Sequence, residues 1–194
     1  MHPPLRDRFV SLDAFRGLTV AAMILVNSPG SWRYVHPSLL HADWHGWTFA
    51  DLVFPAFLFI LGVAIPFAFS RQAQIGATSR RLHVRIARRT AILFVLGLLL
   101  NAFQNWFDPS SLRIPGVLQR IAVCYAAAAL FVLHARPRTQ AIAAIVLLVG
   151  YWAALECIAV PGAGMGGIDA KDQNLAAFVD RLVLSGHLYR TTWD

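Results

Sequence analysis

The sequence predicts an all-α, polytopic transmembrane helical bundle, with about five membrane-spanning helices in 194 residues. Three observations carry this. Hydrophobic residues make up 57% of the chain and charged residues only 14%, where a soluble domain holds roughly 25% charged residues. The apolar residues fall in long runs, close to the roughly 20 that a helix needs to cross a hydrocarbon core of about 30 Å. The charges lie between those runs. The net charge of +7 and the pI near 10.4 are therefore not a nucleic-acid footprint, which needs basic residues clustered on a polar surface. The chain is also too hydrophobic to be disordered.

The spans are expected at about 9–27, 49–69, 90–107, 117–134 and 140–160. The first is not a cleaved signal peptide. Asp13 and Arg16 interrupt it, and Asn27-Ser28-Pro29-Gly30 follows in place of a small-residue cleavage site. The second contains Pro55 and Pro66. Proline lacks the N–H that would bond the carbonyl four residues back, so a kink is expected near Pro55. Such breaks are tolerated in membranes only where protein or a wet cavity surrounds them. Cys124 and Cys157 fall inside spans and read as core residues, with no spacing for a disulfide or a metal.

Arginine placement sets the orientation. Arg6 and Arg8 precede span 1, and Arg136 and Arg138 lie between spans 4 and 5. Arg71, Arg80, Arg81, Arg85, Arg88 and Arg89 fill the expected loop between spans 2 and 3. The opposite side has Arg33 and Arg113 in its two short loops. The positive-inside rule then puts the N-terminus in the cytoplasm, with 28–48, 108–116 and 161–194 outside. Trp32, Trp44, Trp47 and Trp106 fall at the outer boundary, as an aromatic belt would. Residues 1–160 form the membrane domain in this reading. Residues 161–194 form an outward-facing segment with one short amphipathic helix (NLAAFVDRLVL), and it reads as truncated.

Charged or polar side chains inside spans cost about 2.5–3.5 kcal/mol each when charged, and those retained point to function. Asp13 and Arg16 are three apart and can pair on one face. Asn27 follows Arg16 by 11 residues, about three turns and roughly 16 Å along the same face. The outer loop is densest in chemistry, with His36, His41, Asp43, His45 and Asp51. His41 and His45 are four apart, but Gly46 opposes a helix there and Ala42 stands where a zinc protease keeps its glutamate. No metal is expected. Thr48-x-x-Asp51 before an apolar run is a capping box, which would hold Asp51 rigidly at the membrane mouth. Asn101, Gln104, Asn105, Gln119 and Arg120 gather at the same outer end of spans 3 and 4. Singly, each could be a packing hydrogen bond. With Asn27, His41 and Asp51 they suggest one outward-facing polar cavity. A histidine beside Asn and Asp suits proton transfer or acylation of the histidine itself. An asparagine amide suits a developing oxyanion.

Three blocks carry a family resemblance. They are Arg8–Gly17 (RFVSLDAFRG) continuing to Val26-Asn27, His41–Pro55 (HADWHGWTFADLVFP) and Arg113–Arg120 (RIPGVLQR). In order and spacing these resemble the N-terminal half of the heparan-alpha-glucosaminide N-acetyltransferase family of transmembrane acyltransferases, in a bacterial form. The resemblance implies a multi-pass protein of the bacterial plasma membrane. It implies transfer of acetyl from cytosolic acetyl-CoA to an amine or hydroxyl of a sugar or glycan acceptor outside. Its catalytic histidine falls on His41 and a catalytic asparagine on Asn27; Asp51, held at the membrane mouth by its capping position, is the third catalytic candidate. The CoA phosphates are expected near Arg16 and the cytoplasmic arginines. His45, Asn105 and Arg120 are expected to meet the acceptor. His45 stands where the family has an asparagine, so the roles of His41 and His45 are open to exchange. Family members have more helices than the five here, which reads as part of a larger enzyme. The expected partners are the lipid bilayer, acetyl-CoA and the acceptor, without nucleic acid. A homodimer is left open. The competing reading is a transporter or exporter of a small polar solute, supported by the proline-bearing span and the intramembrane polar residues.

Overall fold

The computed structural model describes residues 10–74, 76, 78–104, 113–162, 164, 167–184 and 187–188. Six α-helices occur among them, and no strand. They are α1 (Val10–Asn27), α2 (Phe49–Gln74), α3 (Ser79–Gln104), α4 (Val117–His134), α5 (Pro137–Cys157) and α6 (Leu175–Leu184), with a short 3-10 turn at Pro37–Leu39. The first five are long and apolar enough to cross a membrane. The protein is a multi-pass membrane protein. The chain divides into two compact units, Met1–Ala68 and Phe69–Asp194.

The first unit holds α1 and most of α2. Val26 on α1 and Ala50 and Val53 on α2 are buried together, with Ala22, Met23 and Leu39 packed around them. This brings the last turn of α1 against the first turn of α2. Apart from Thr19, α1 is elsewhere largely exposed, and Leu18 and Ile24 face outward, as helices facing lipid do. Thr19 satisfies its buried hydroxyl by donating to the Phe15 carbonyl at 2.8 Å. The α2 helix runs without interruption through both Pro55 and Pro66.

The second unit is organised by an antiparallel α3–α4 pair. As the α3 number rises through 83, 89 and 97, its α4 partner falls through 134, 125 and 119. His83 Nε2 meets His134 Nε2 at 3.0 Å. The Arg89 guanidinium lies over the Tyr125 ring at 4.9 Å, a cation–π geometry. A Cβ on Gly97 would lie 2.5 Å from Gln119 Oε1. Just before α4, the Asn101 amide donates to the Arg113 carbonyl at 2.8 Å and ties down the chain there. A two-residue turn leads into α5, where Pro137 occupies a first-turn position that needs no N–H. No residue of α5 is buried, and Leu147 and Leu148 are more than 70% exposed, so this helix presents apolar surface on all sides.

One expectation is corrected. The arginine-rich stretch before residue 90 is not a loop. It is the start of α3, so Arg80, Arg81, Arg85, Arg88 and Arg89 are helical. Arginine is a good helix former, and its long side chain carries its charge away from the apolar core. A helix of 26 residues is roughly 39 Å long, more than a bilayer core needs. The surplus is the arginine end.

The amphipathic helix expected in the final segment is α6. Asn174 starts it, its Oδ1 accepting the Ala177 N–H at 2.9 Å, the bond of an N-cap asparagine. Ahead of it, Val160 and Gly164 exchange backbone hydrogen bonds of 2.7 and 3.0 Å across a tight turn.

Candidate active site

The site is built at the start of α2. Residues 40–48 form an irregular loop that turns at Gly46, whose φ of 95° lies in the left-handed region that favours glycine. The loop brings three groups onto one carboxylate. The Asp51 Oδ2 atom accepts the Thr48 N–H at 2.9 Å and the Ala42 N–H at 3.1 Å. The Asp51 Oδ1 atom accepts His41 Nδ1–H at 2.6 Å. The Thr48 hydroxyl has one proton and two acceptors in reach, the Leu40 carbonyl at 2.6 Å and Asp51 Oδ2 at 3.0 Å. The Thr48–Asp51 capping relation read from the sequence is therefore present in its carboxylate half. The aspartate also closes the loop over the helix N-terminus, where a negative group is favoured.

This geometry fixes the tautomer of His41. A carboxylate only accepts, so Nδ1 carries the hydrogen, and in the neutral ring the lone pair is on Nε2. The His41 side chain is 68% exposed while that of Asp51 is 28% exposed. The imidazole is thus anchored at one nitrogen and open at the other. That is the arrangement of a histidine prepared to take a proton or to attack a carbonyl, oriented by a group behind it.

Asn27 is the last residue of α1, next to Val26 in the core that also holds Ala50. Its Nδ2 donates to the Met23 carbonyl at 2.8 Å. An amide nitrogen has two hydrogens, so this bond uses one of them. Asn27 and Asp51 therefore lie at the same end of the first unit, one closing α1 and the other opening α2. Arg16 lies towards the opposite end of α1, paired with Asp13 at 3.2 Å. Both side chains are about half exposed, so this pair contributes little to stability. A groove of about 390 Å³ lined by Ser11, Leu12, Phe15, Val63 and Phe67 runs beside them.

The other sequence candidates divide. His36 serves its own turn, with the Ser38 N–H donating to its Nδ1 at 3.3 Å. His45 is exposed, with its ring edge-on to Trp44. Arg120 belongs to the second unit and is half-buried in the first turn of α4. Asn105 lies outside the described residues. Gln119, noted only as one outer polar residue, is 3% exposed, and neither of its amide atoms has a hydrogen-bond partner among the described residues. The sequence offered no sign of the His83–His134 contact, whose partners are 51 positions apart.

A family model for the catalytic part of heparan-alpha-glucosaminide N-acetyltransferase matches residues 8–180. The chain belongs to this family. The human protein named heparan-alpha-glucosaminide N-acetyltransferase is 35% identical over 222 aligned residues, covering 96% of this chain and 33% of its own length. The mouse protein of the same name is 37% identical over 124 residues, covering 61% of this chain and 18% of its own. The chain thus spans about a third of the length of the human family member. The family match includes all of α1 to α5, the His41–Asp51 loop and Arg113–Arg120.

Proposed function

We propose that this chain carries the histidine end of a transmembrane acetyl-transfer site. Acetyl-CoA is the donor, reached from the cytoplasm, and an amine or hydroxyl of a sugar-type acceptor is the recipient on the outer side. The membrane is the bacterial plasma membrane, with the N-terminus cytoplasmic. One observation supports this most directly. His41 Nδ1 is held by Asp51 Oδ1 at 2.6 Å, and the opposite ring nitrogen is left open. Membership in a family whose named relatives are N-acetyltransferases supplies the reaction class.

In this reading His41 Nε2 takes the proton from the acceptor nitrogen or oxygen as that atom attacks the acetyl carbonyl. The new bond to the carbonyl carbon forms as the C–S bond breaks. The CoA thiolate leaves and takes the proton that His41 gives up, which returns the imidazole to its starting form. Asp51 holds the imidazole and stabilises its cationic form during the transfer. Asn27 directs its second amide N–H at the carbonyl oxygen as negative charge builds there. Arg16 exchanges Asp13 for a phosphate of the donor. The rise of α1 from Arg16 to Asn27, roughly 16 Å, is comparable to an extended pantetheine arm. His45 contributes to acceptor binding.

The test is acetyl transfer from labelled acetyl-CoA to glucosamine by the full-length protein. His41→Ala is expected to lower turnover at least 10³-fold with normal expression and folding. Undiminished transfer by that variant rejects the assignment. Transport of a polar solute without consumption of acetyl-CoA would replace the reading with that of a transporter.

A further inference from the structure

The arginine end of the second unit, one of the places where the resemblance allows CoA phosphates, has a property that the His41 site and Arg16 do not account for. The 3.0 Å contact between His83 and His134 joins the start of α3 to the end of α4. Arg80 and Arg81 precede His83 by three and two residues, and Arg136 and Arg138 follow His134 by two and four. The contact therefore assembles arginines from two distant stretches of chain at one end of the unit. Arg85 and Arg88 extend the group along α3, and Arg89 is held against α4 by Tyr125. All seven arginines are exposed.

Among the described residues, no acidic side chain pairs with them. Among the described residues, α3 and α4 contain no Asp or Glu, and the first acid of α5 is Glu156, at its far end. The Glu156 side chain is occupied there, accepting the Ile168 N–H at 3.3 Å. The seven like charges on the first half of α3 and at the α4–α5 turn therefore find no counter-charge on these three helices near them.

The same helices turn apolar within one or two turns of these charges. Val84 on α3 is 60% exposed, and Ile142 and Ile145 on α5 are each 61% exposed. A free anion would satisfy the arginines and leave this surface unmatched. A molecule with an anionic head and hydrocarbon tails matches both parts. We propose that this end of the second unit is a binding site for anionic phospholipid. The headgroup phosphate lies among Arg80, Arg81, Arg136 and Arg138, and the acyl chains lie along α3 and α5. The Ser79 carbonyl only accepts, so His83 donates its Nδ1–H to it at 2.8 Å, while His83 Nε2 faces His134 Nε2. The pair is thereby engaged with itself, and its part is to position the arginines.

Each basic residue near an anionic leaflet contributes roughly fivefold in partitioning. The test reconstitutes the full chain in nanodiscs of phosphatidylcholine mixed equally with phosphatidylglycerol. Lipid retained after extraction is counted by native mass spectrometry. The wild-type protein is expected to retain phosphatidylglycerol over phosphatidylcholine at least tenfold. The double variants Arg80→Gln/Arg81→Gln and Arg136→Gln/Arg138→Gln should each lose at least fivefold of that preference. Lysine at the same positions should keep most of it, and this comparison stands even where a glutamine variant misfolds. Equal retention of the two lipids by the wild type overturns the proposal. So does full preference in folded glutamine variants. Displacement of the lipid by millimolar CoA, with equal loss of CoA binding in the glutamine variants, would reassign the arginines to a soluble phosphate. None of these readouts depends on acetyl transfer, so the two readings fail separately.

Discussion

Asp51 Oδ1 stands 2.6 Å from His41 Nδ1 across a ten-residue separation, while Oδ2 of the same carboxylate accepts the Thr48 and Ala42 backbone N–H groups. One side chain therefore both starts a membrane helix and sets which nitrogen of the histidine is free.

Asp51→Asn separates those two tasks. The amide still offers one oxygen, but its nitrogen donates where the carboxylate accepted. It meets either the imidazole N–H or the two backbone N–H groups with the wrong polarity. Acetyl turnover is expected to fall about 10²–10⁴-fold, the range seen when the carboxylate behind a working histidine is changed. Stability should fall by about 1–3 kcal/mol, the cost of leaving a donor unsatisfied. A turnover assay beside thermal unfolding in detergent measures both. Full activity would show that His41 needs no support from Asp51.

Asn27 gives the opposite pattern. Its bond to the Met23 carbonyl is a local helix contact on an exposed side chain, so Asn27→Ala should cost about 0.5 kcal/mol or less. Loss of an oxyanion donor costs about 10²–10³ in turnover. A large fall in turnover at an unchanged melting temperature supports the proposed role. A fall in stability without loss of turnover assigns Asn27 to packing.

The α3–α4 seam is expected to be sensitive at one glycine and tolerant at another. A Cβ at Gly97 would lie 2.9 Å from Leu118 Cβ as well as 2.5 Å from Gln119 Oε1. The leucine atom is fixed to its backbone, so the helices must separate. Gly97→Ala should destabilise by about 1–3 kcal/mol, the usual cost of overpacking. At Gly116 the obstacles are the ends of the Gln119 and Asn101 side chains, which can rotate, and the backbone φ of −85° suits alanine. Gly116→Ala should cost less than Gly97→Ala. Paired thermal melts decide the order, and equal melts would discount the leucine contact.

Gln119 is buried, and among the described residues neither of its amide atoms has a partner. A buried polar group without a partner costs about 1–3 kcal/mol, and methionine has a similar length without that cost. Gln119→Met is expected to leave the melting temperature unchanged or to raise it. A clear drop would show that the amide has a hydrogen-bonding role in the working protein.

The helices were legible because bilayer thickness imposes a length on every span, and an apolar run of that length has few other uses. The start of α3 was misplaced for the same reason. Counting apolar residues begins the helix at Thr90, whereas the backbone begins it at Ser79, since arginine ends an apolar run without ending a helix. The Thr48–Asp51 relation was readable because a cap has fixed spacing. The His41–Asp51 bond was not, because it depends on how an irregular loop folds back on itself. The sequence grouped the two residues in one polar cavity, and only the geometry showed them bonded to each other. The burial of Gln119 was hidden for a related reason. A glutamine near a helix end reads as polar surface until Gly97 is found opposite it.

The sharing of Asp51 between a helix start and a histidine has a consequence for how this protein can change. A substitution that improves the cap by altering the carboxylate re-aims the ring, and one that retunes the ring loosens the cap. Variation at this corner is therefore constrained in pairs. The imidazole and the carboxylate can be replaced together, but neither can drift alone without the other losing its purpose.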